Sequence, residues 1–252
     1  MTTLAKRLIG RRSLTGVLLV AMLSLAASVT PGSAAPTGPT SPAFGSSRLY
    51  LSWKAPSGMP GATDRLSTAC NDTSEVDTLF VSFEVTRPTP GLEYLSLVVY
   101  FHPLGGDTLG SFWHFKRGWE NQLNMLVDFD AATGIEGELP WEVMGYGNVS
   151  YDHRSGRGRL DLGFRVPRLG AKGLRSGERY TCARIRIRHR RDDLSGCRQP
   201  VCIEAADLDL KFATGRRLAA EVTNERFVSW NTSEGAGCRP PNMSVAKPWR
   251  PK

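Results

Sequence analysis

Five cysteines are the first residues of this 252-residue chain whose types and spacing could do chemistry. Cys197 and Cys202 are close in sequence, which favours a disulfide that closes a short ring and contributes roughly 2 kcal/mol. Cys70 and Cys238 are the second expected pair, because both lie in loop-like sequence near opposite ends of the domain. Cys182 is then left as a free thiol, which we expect to be inert.

An aromatic cluster near the middle of the chain is the best candidate for a ligand-contact surface. Trp113, Phe115 and Trp119 are the predicted contact residues, and Trp141 could extend the patch. Aromatic faces stack on sugar rings, so a glycan is one expected partner; an extracellular or envelope protein is the other. The competing interpretation is that these rings bury in the core, because each carries a large apolar area.

Motifs for catalysis are mostly missing. The sequence has no Gly-x-Ser-x-Gly elbow, phosphate loop or His-Glu-x-x-His helix, and its four histidines show no ligand-like pairing. We therefore predict no metal, no cofactor and no enzymatic activity. A secreted, glycosidase-like hydrolase stays open, since carboxylates such as Glu120, Asp128 and Glu142 could converge on folding. A structural envelope protein is a further alternative.

The N-terminal residues have the pattern of an export signal. A basic segment precedes a short apolar run at residues 14–27, and small residues follow at 32–34. We expect residues 1–34 to be a signal peptide, 35–47 a Pro/Ser/Thr-rich linker, 48–238 a β-sandwich domain and 239–252 a Pro-rich basic tail. The protein would be periplasmic, cell-surface or extracellular, with no transmembrane span in the mature chain. The export route, general or twin-arginine, stays open.

The charge of the chain gives no support to nucleic-acid binding. Four basic residues and no acidic one fall within residues 1–34, so the formal net charge of +8 drops to +4 without them (28 basic minus 24 acidic). A charge of this size over the remaining chain does not predict a polyanion partner.

Hydrophobic alternation predicts the elements that position these residues. Period-2 patterns indicate about nine strands, at 48–54, 78–86, 93–102, 125–129, 148–151, 159–166, 179–190, 203–212 and 226–231. The predicted fold is all-β, a mainly antiparallel β-sandwich of jelly-roll or immunoglobulin/cohesin-like type. Strands 179–190 and 203–212 are expected to form a hairpin with Arg186 opposite Asp207 and Arg184 opposite Asp209, giving an ion-paired sheet face.

Four stretches of the sequence resemble a group of exported bacterial proteins of unassigned function. They are Tyr180-Thr-Cys-Ala-Arg-Ile-Arg-Ile with Cys197-Arg-Gln-Pro-Val-Cys-Ile-Glu204, the segment from Phe101-His-Pro to Gly-Ser-Phe-Trp-His-Phe115, and Arg226-Phe-Val-Ser-Trp-Asn231. The strand pattern is also loosely similar to cohesin and carbohydrate-binding-module sandwiches. Neither resemblance implies a catalytic or binding residue.

Overall fold

A computed structural model describes residues 45–115, 124–129, 148–154, 156–166, 173–189, 196–221, 223–232 and 238, with the backbone alone at 148–154 and 224. These residues belong to one compact unit, Pro42–Lys252. The predicted signal peptide and basic tail, and most of the predicted linker, lie outside them, so those boundaries stay predictions. Within the described ranges, no helix has the length and apolar character that crossing a membrane requires.

Eleven strands account for most of the described residues. They are β1 Ser47–Trp53, β2 Arg65–Leu66, β3 Val76–Val85, β4 Leu92–Pro103, β5 Met125–Asp128, β6 Asn148–Arg154, β7 Arg157–Arg165, β8 Arg179–Arg188, β9 Val201–Phe212, β10 Arg217–Glu221 and β11 Phe227–Trp230. All nine predicted strands are present, with ends displaced by a few residues. Strands β2 and β10 were not predicted, because two residues are too few to show a period and β10 buries only Leu218.

The strands form two sheets that share one interior. Sheet A has the order β5-β8-β3-β1, and sheet B has the order β10-β9-β4-β7-β6, with β11 on β9 and β2 on β11. A short parallel pairing of β1 with β10 joins the sheets, the β11–β2 pair is also parallel, and the other pairs are antiparallel. The predicted fold class, a mainly antiparallel β-sandwich, is confirmed.

A single hydrophobic core lies between the inner faces of the two sheets. Each strand alternates, so every second side chain points into this core. Burying one large apolar side chain contributes about 1.5–3 kcal/mol. Fully buried examples are Leu79, Phe83 and Ile185 of sheet A, and Leu95, Phe164 and Leu210 of sheet B.

The predicted hairpin between β8 and β9 is wrong. Strand β8 pairs with β3 and β5 in sheet A, whereas β9 pairs with β4, β10 and β11 in sheet B. Arg184 and Arg186 therefore meet Asp128 of β5, at 2.9 and 3.5 Å, and not Asp207 and Asp209. Alternation identifies the exposed face of a strand but not the strand that pairs with it. The prediction of an ion-paired face is therefore correct, and the prediction of Asp207 and Asp209 as its acidic residues is wrong.

The predicted disulfide pairing is also wrong. The structure joins Cys70 to Cys197 and Cys202 to Cys238. Cys197 lies in the core, whereas Cys202 lies on β9 between two residues that point into the core. Because side chains alternate along a strand, Cys202 points to the outer face, away from Cys197.

Cys182 is the free thiol, as expected, and a β-bulge determines its position. The register between β3 and β8 shifts between Val81 and Ser82, so Cys182 has no cross-strand partner. The bulge turns its side chain into the core, where 3% of the residue is exposed and the thiol donates to the Val81 carbonyl at 3.3 Å. Burial raises the pKa of Cys182 from 9.0 to about 12.

We expect Cys182 to resist alkylation in the folded protein. At pH 8 the raised pKa lowers the thiolate fraction by about 1000-fold relative to an exposed thiol, and burial blocks the reagent as well. Iodoacetamide labelling followed by mass spectrometry should find no modification in native buffer and one alkylated cysteine in guanidinium chloride without reductant. Rapid native labelling, at a rate like that of glutathione in the same tube, would contradict the buried position.

Candidate ligand-binding site

The structure places two of the predicted aromatic contact residues inside the protein. Trp113 is fully buried, Phe115 is 3% exposed, and the Trp113 ring packs against Trp230 with centroids 5.1 Å apart. The prediction that Trp113 and Phe115 contact a ligand is therefore wrong, because rings of this size contribute more when buried. Trp119 and Trp141 lie outside the described residues, and their contact role stays a prediction.

A buried polar pair lies beside these rings. The Nε2 atom of His189, which is fully buried, is 2.9 Å from the Asp77 carboxylate, and its Nδ1 atom is 3.7 Å from that of Glu75. Phe112 and Trp230 pack against the imidazole. This pair is enclosed, so it holds the end of the core together and cannot meet a substrate. Nowhere in the described ranges does a group of three or more His, Cys, Asp and Glu side chains suit a metal ion.

A shallow trough of about 300 Å³ lies on the outer face of sheet B. Strand β4 runs along its middle, between β7 and β9, and the antiparallel registers set outward side chains in rows across the three strands. The rows, in the order β7–β4–β9, are Arg165–Tyr94–Lys211, Gly163–Ser96–Asp209, Asp161–Val98–Ala206 and Arg159–Tyr100–Glu204. Together these rows form a four-row polar surface with small residues at its centre.

The concave shape comes from side-chain size. The two central rows place the small residues Gly163, Ser96 and Val98 on the floor, and Tyr94 lines the trough beside them. Tyr100 is half-buried in the next row, where its hydroxyl contacts Asp207 of the lining. Six residues of strand separate Tyr94 from Tyr100, which corresponds to about 20 Å. The trough is therefore elongated and suits an extended ligand.

Each tyrosine is held by its neighbours. The Tyr94 hydroxyl lies over Gly163, where a Cβ atom would come within 3.1 Å of the phenolic oxygen. The absence of a side chain at Gly163 therefore makes room for the tyrosine ring. The Tyr100 hydroxyl donates to an Asp207 carboxylate oxygen at 3.5 Å. Burial raises the pKa of Tyr100, so its hydroxyl stays protonated and able to donate at physiological pH.

An ion pair forms one wall of the trough. Arg159 Nε donates to both Asp161 carboxylate oxygens at 3.1 Å, and Nη2 donates to Oδ1 at 2.7 Å. The hydrogen bond to Asp161 raises the pKa of Arg159 further, so the guanidinium is permanently charged. Both side chains remain partly exposed, at 36% and 40%. The pair therefore presents donors and acceptors side by side to a ligand.

A β-bulge forms the opposite wall. Ser96 faces Asp209 and Val98 faces Ala206, so Asp207 and the next residue together oppose a single residue of β4. Asp207 takes a φ of 52°, in the left-handed region that is costly for residues other than glycine. Strained backbone of this kind concentrates at functional sites. It turns the Asp207 carboxylate toward the trough, where it joins the lining.

A buried charge cluster supports the Tyr100 end. Glu204 Oε1 forms an ion pair with Arg226 Nη2 at 2.9 Å, and Glu204 Oε2 lies 3.2 Å from His102 Nε2. The ring of His102 packs beside that of Tyr100, with centroids 5.8 Å apart. Side-chain exposure is 10% for Glu204 and 7% for His102, so this end of the trough is rigid.

The sequence does carry a signal for this site. Tyr94, Val98 and Tyr100 alternate on the outward face of β4, and Arg159, Asp161 and Arg165 alternate on β7. Alternation shows that each set faces outward. It does not show that β7 and β9 flank β4, which is the pairing that brings the sets together. The bulge at Asp207 was not predicted.

No family model and no curated protein matches the sequence. Solved structures with a similar strand arrangement include cohesin modules, to which a loose likeness was expected. One is from a type I cohesin–dockerin complex of Clostridium thermocellum, with 9% identity and a TM-score of 0.38 over 75% of this chain and 95% of that one. A second is a type II cohesin of the Acetivibrio cellulolyticus scaffoldin ScaA, with 10% identity and a TM-score of 0.38 over 75% of this chain and 98% of that one. A third is a cohesin of a Clostridium perfringens family 33 glycoside hydrolase, with 8% identity and a TM-score of 0.34 over 75% of this chain and 97% of that one. Likenesses at these TM-scores carry no argument about partners.

We expect Asp207→Gly to keep or raise the stability of the fold. Glycine removes the left-handed strain of about 1–2 kcal/mol but costs about 0.5–1 kcal/mol in the unfolded chain, so the net change should lie between zero and about 1.5 kcal/mol of stabilisation. Asp207→Val should instead destabilise by at least 1–2 kcal/mol, since a β-branched residue fits this φ poorly. Urea unfolding of both variants measures the difference. Destabilisation by glycine equal to that by valine would contradict the bulge geometry.

Proposed function

We propose that this chain is an exported, non-catalytic binding protein that holds a glycan in the trough on the outer face of sheet B. The observation that carries the proposal is the trough itself. It has a floor of small side chains, Tyr94 in its lining, Tyr100 beside it about 20 Å further along β4, and polar walls on both sides. The two disulfides agree with an oxidising compartment outside the cytoplasm.

The chemistry of the walls suits sugar hydroxyls. Each hydroxyl can donate one hydrogen bond and accept two, so it pairs best with a surface that offers both kinds of partner. Arg159 offers donors, Asp161 and Asp207 offer acceptors, and the half-buried Tyr94 offers apolar surface to a sugar ring. A ligand of extended shape and mixed polarity satisfies all of these groups at once.

The described surface suits a large apolar protein partner less well than it suits a polar ligand. Interfaces of high affinity are centred on buried aromatic or aliphatic anchors. Among the described residues, Val76 is the one large hydrophobic side chain that is exposed, and it lies at the end of β3 in sheet A. The described surface therefore favours a polar ligand over a hydrophobic partner surface.

The carboxylates of the trough are arranged for binding and not for glycoside hydrolysis. A glycosidase needs one carboxyl group that retains a proton for the leaving oxygen. Both oxygens of Asp161 accept hydrogen bonds from Arg159, so this carboxylate is already engaged by the guanidinium. Asp207, across the floor, is exposed to solvent. Asp128, a carboxylate considered for hydrolysis, is bound to Arg184 in sheet A.

A protein segment lying along the same trough is the second candidate. Tyrosine and arginine are the residues that protein interfaces favour, and Tyr94, Tyr100, Arg159 and Arg165 all belong to the four rows. Such a partner would be an extended, polar polypeptide. Protease treatment of a cell-wall extract would remove it, whereas a glycan would survive.

We expect Ser96→Phe to abolish glycan binding, because a ring on the floor fills the trough. The matched control is Thr78→Phe, which places the same ring at a half-buried hydroxyl position on the outer face of sheet A. A glycan array followed by calorimetric titration should show at least a tenfold loss for Ser96→Phe and less than a twofold change for Thr78→Phe. The proposal fails when wild-type protein binds no glycan, or when both variants bind like wild type.

A further inference from the structure

We propose that the Tyr94 end of the trough is a subsite for an anionic group, so that the preferred ligand is an acidic glycan carrying a carboxylate or sulfate. This inference rests on the proposed function and specifies its ligand. The row at this end places two basic residues on either side of the ring, Arg165 on β7 and Lys211 on β9.

The geometry allows both cations to reach one group. Neighbouring strands lie about 4.8 Å apart, so the Cα atoms of Arg165 and Lys211 flank that of Tyr94 at roughly this distance on each side. Arg165 is exposed and Lys211 is half-buried. Their long side chains can close over an anion that rests against the tyrosine, whose hydroxyl can donate a third hydrogen bond.

These two cations are distinguished by lacking an acidic partner. Several basic residues of the sheet faces are engaged, for example Arg159 with Asp161 and Arg217 with Asp209. In the described part of the chain, neither Arg165 nor Lys211 forms an ion pair. Asp209 stands one row further along β9, and Arg217 occupies it. The positive charge beside Tyr94 is therefore available to a ligand.

The other end of the trough has the opposite character. Asp161 and Asp207 both line the trough there, and Glu204 lies in the next row. These three carboxylates outnumber the two guanidinium groups that pair with them, Arg159 and Arg226, so an anionic group is less favoured at this end than beside Arg165 and Lys211. The charge of the trough thus differs between its two ends. A bound acidic glycan should place a charged unit at Tyr94 and uncharged hydroxyls toward Tyr100.

Tetragalacturonate and its carboxyl-reduced tetrasaccharide test this inference, because they differ only in the anionic groups. We expect the acid to bind wild-type protein at least tenfold more tightly at low salt, and the preference to shrink as salt rises. Arg165→Gln and Lys211→Gln should each lower affinity for the acid by about five- to tenfold, with little effect on the reduced sugar. Arg157→Gln is the matched control, since it removes the same charge from the exposed far end of β7.

The outcomes separate this inference from the proposed function. Equal affinity for the two tetrasaccharides, unchanged by Arg165→Gln and Lys211→Gln, would overturn the anionic subsite and leave the glycan trough standing. Absence of any glycan binding, for these probes and on the array, would overturn both. A sulfated tetrasaccharide that binds more tightly than tetragalacturonate would support the subsite and assign it to sulfate. Binding of poly-L-glutamate as tight as that of the acidic sugar would overturn the inference in favour of a polypeptide.

Discussion

One extra residue in β9 determines where the core ends and the trough begins. Before the bulge, Val201, Ile203 and Ala205 point inward; after it, Leu208, Leu210 and Phe212 do so. A strand without the bulge would turn one of these sets outward, because a shift of one residue exchanges the two faces. The bulge keeps both sets in the core and leaves Ala206 and Asp207 on the outside. The positive φ of Asp207 is the cost of this arrangement.

The chain uses its large rings and its small residues in separate places. Trp53, Phe112, Trp113 and Trp230 pack together at one end of the core, where the Cys70–Cys197 disulfide and the buried His189 add further constraint. Small residues instead form the floor of the trough on the outer face of sheet B. A rigid interior thus supports a surface that a ligand can enter without reorganising the protein, which reduces the entropic cost of binding.

The sequence predicts which face of each strand is buried, but it does not predict which strands, charged residues or cysteines pair. The alternation in β8 correctly places Ile185 and Ile187 in the core and Arg184 and Arg186 outside, since burial follows directly from period and hydrophobicity. Pairing depends on contacts between distant segments, so Asp128 could not be identified as the partner of these arginines. The predicted disulfide pairing was wrong for the same reason, because Cys197 and Cys202 are close in sequence yet their side chains point in different directions. Alternation alone does not distinguish the bulges at Cys182 and Asp207 from a change of face. Trp113 and Phe115 were wrongly assigned to a ligand surface because rings that bind ligands and rings that fill cores look alike in sequence.

We propose that ligands bind on the outer face of sheet B. Amide chemical-shift mapping of the isotope-labelled protein, titrated with tetragalacturonate, locates the bound ligand, because it reports on every assigned strand at once. We expect perturbations centred on Ser96, Val98, Gly163 and Ala206, and extending to the Tyr94 row. Perturbations centred on the outer face of sheet A, around Thr78 and Arg186, would contradict it, as would a spectrum that does not change.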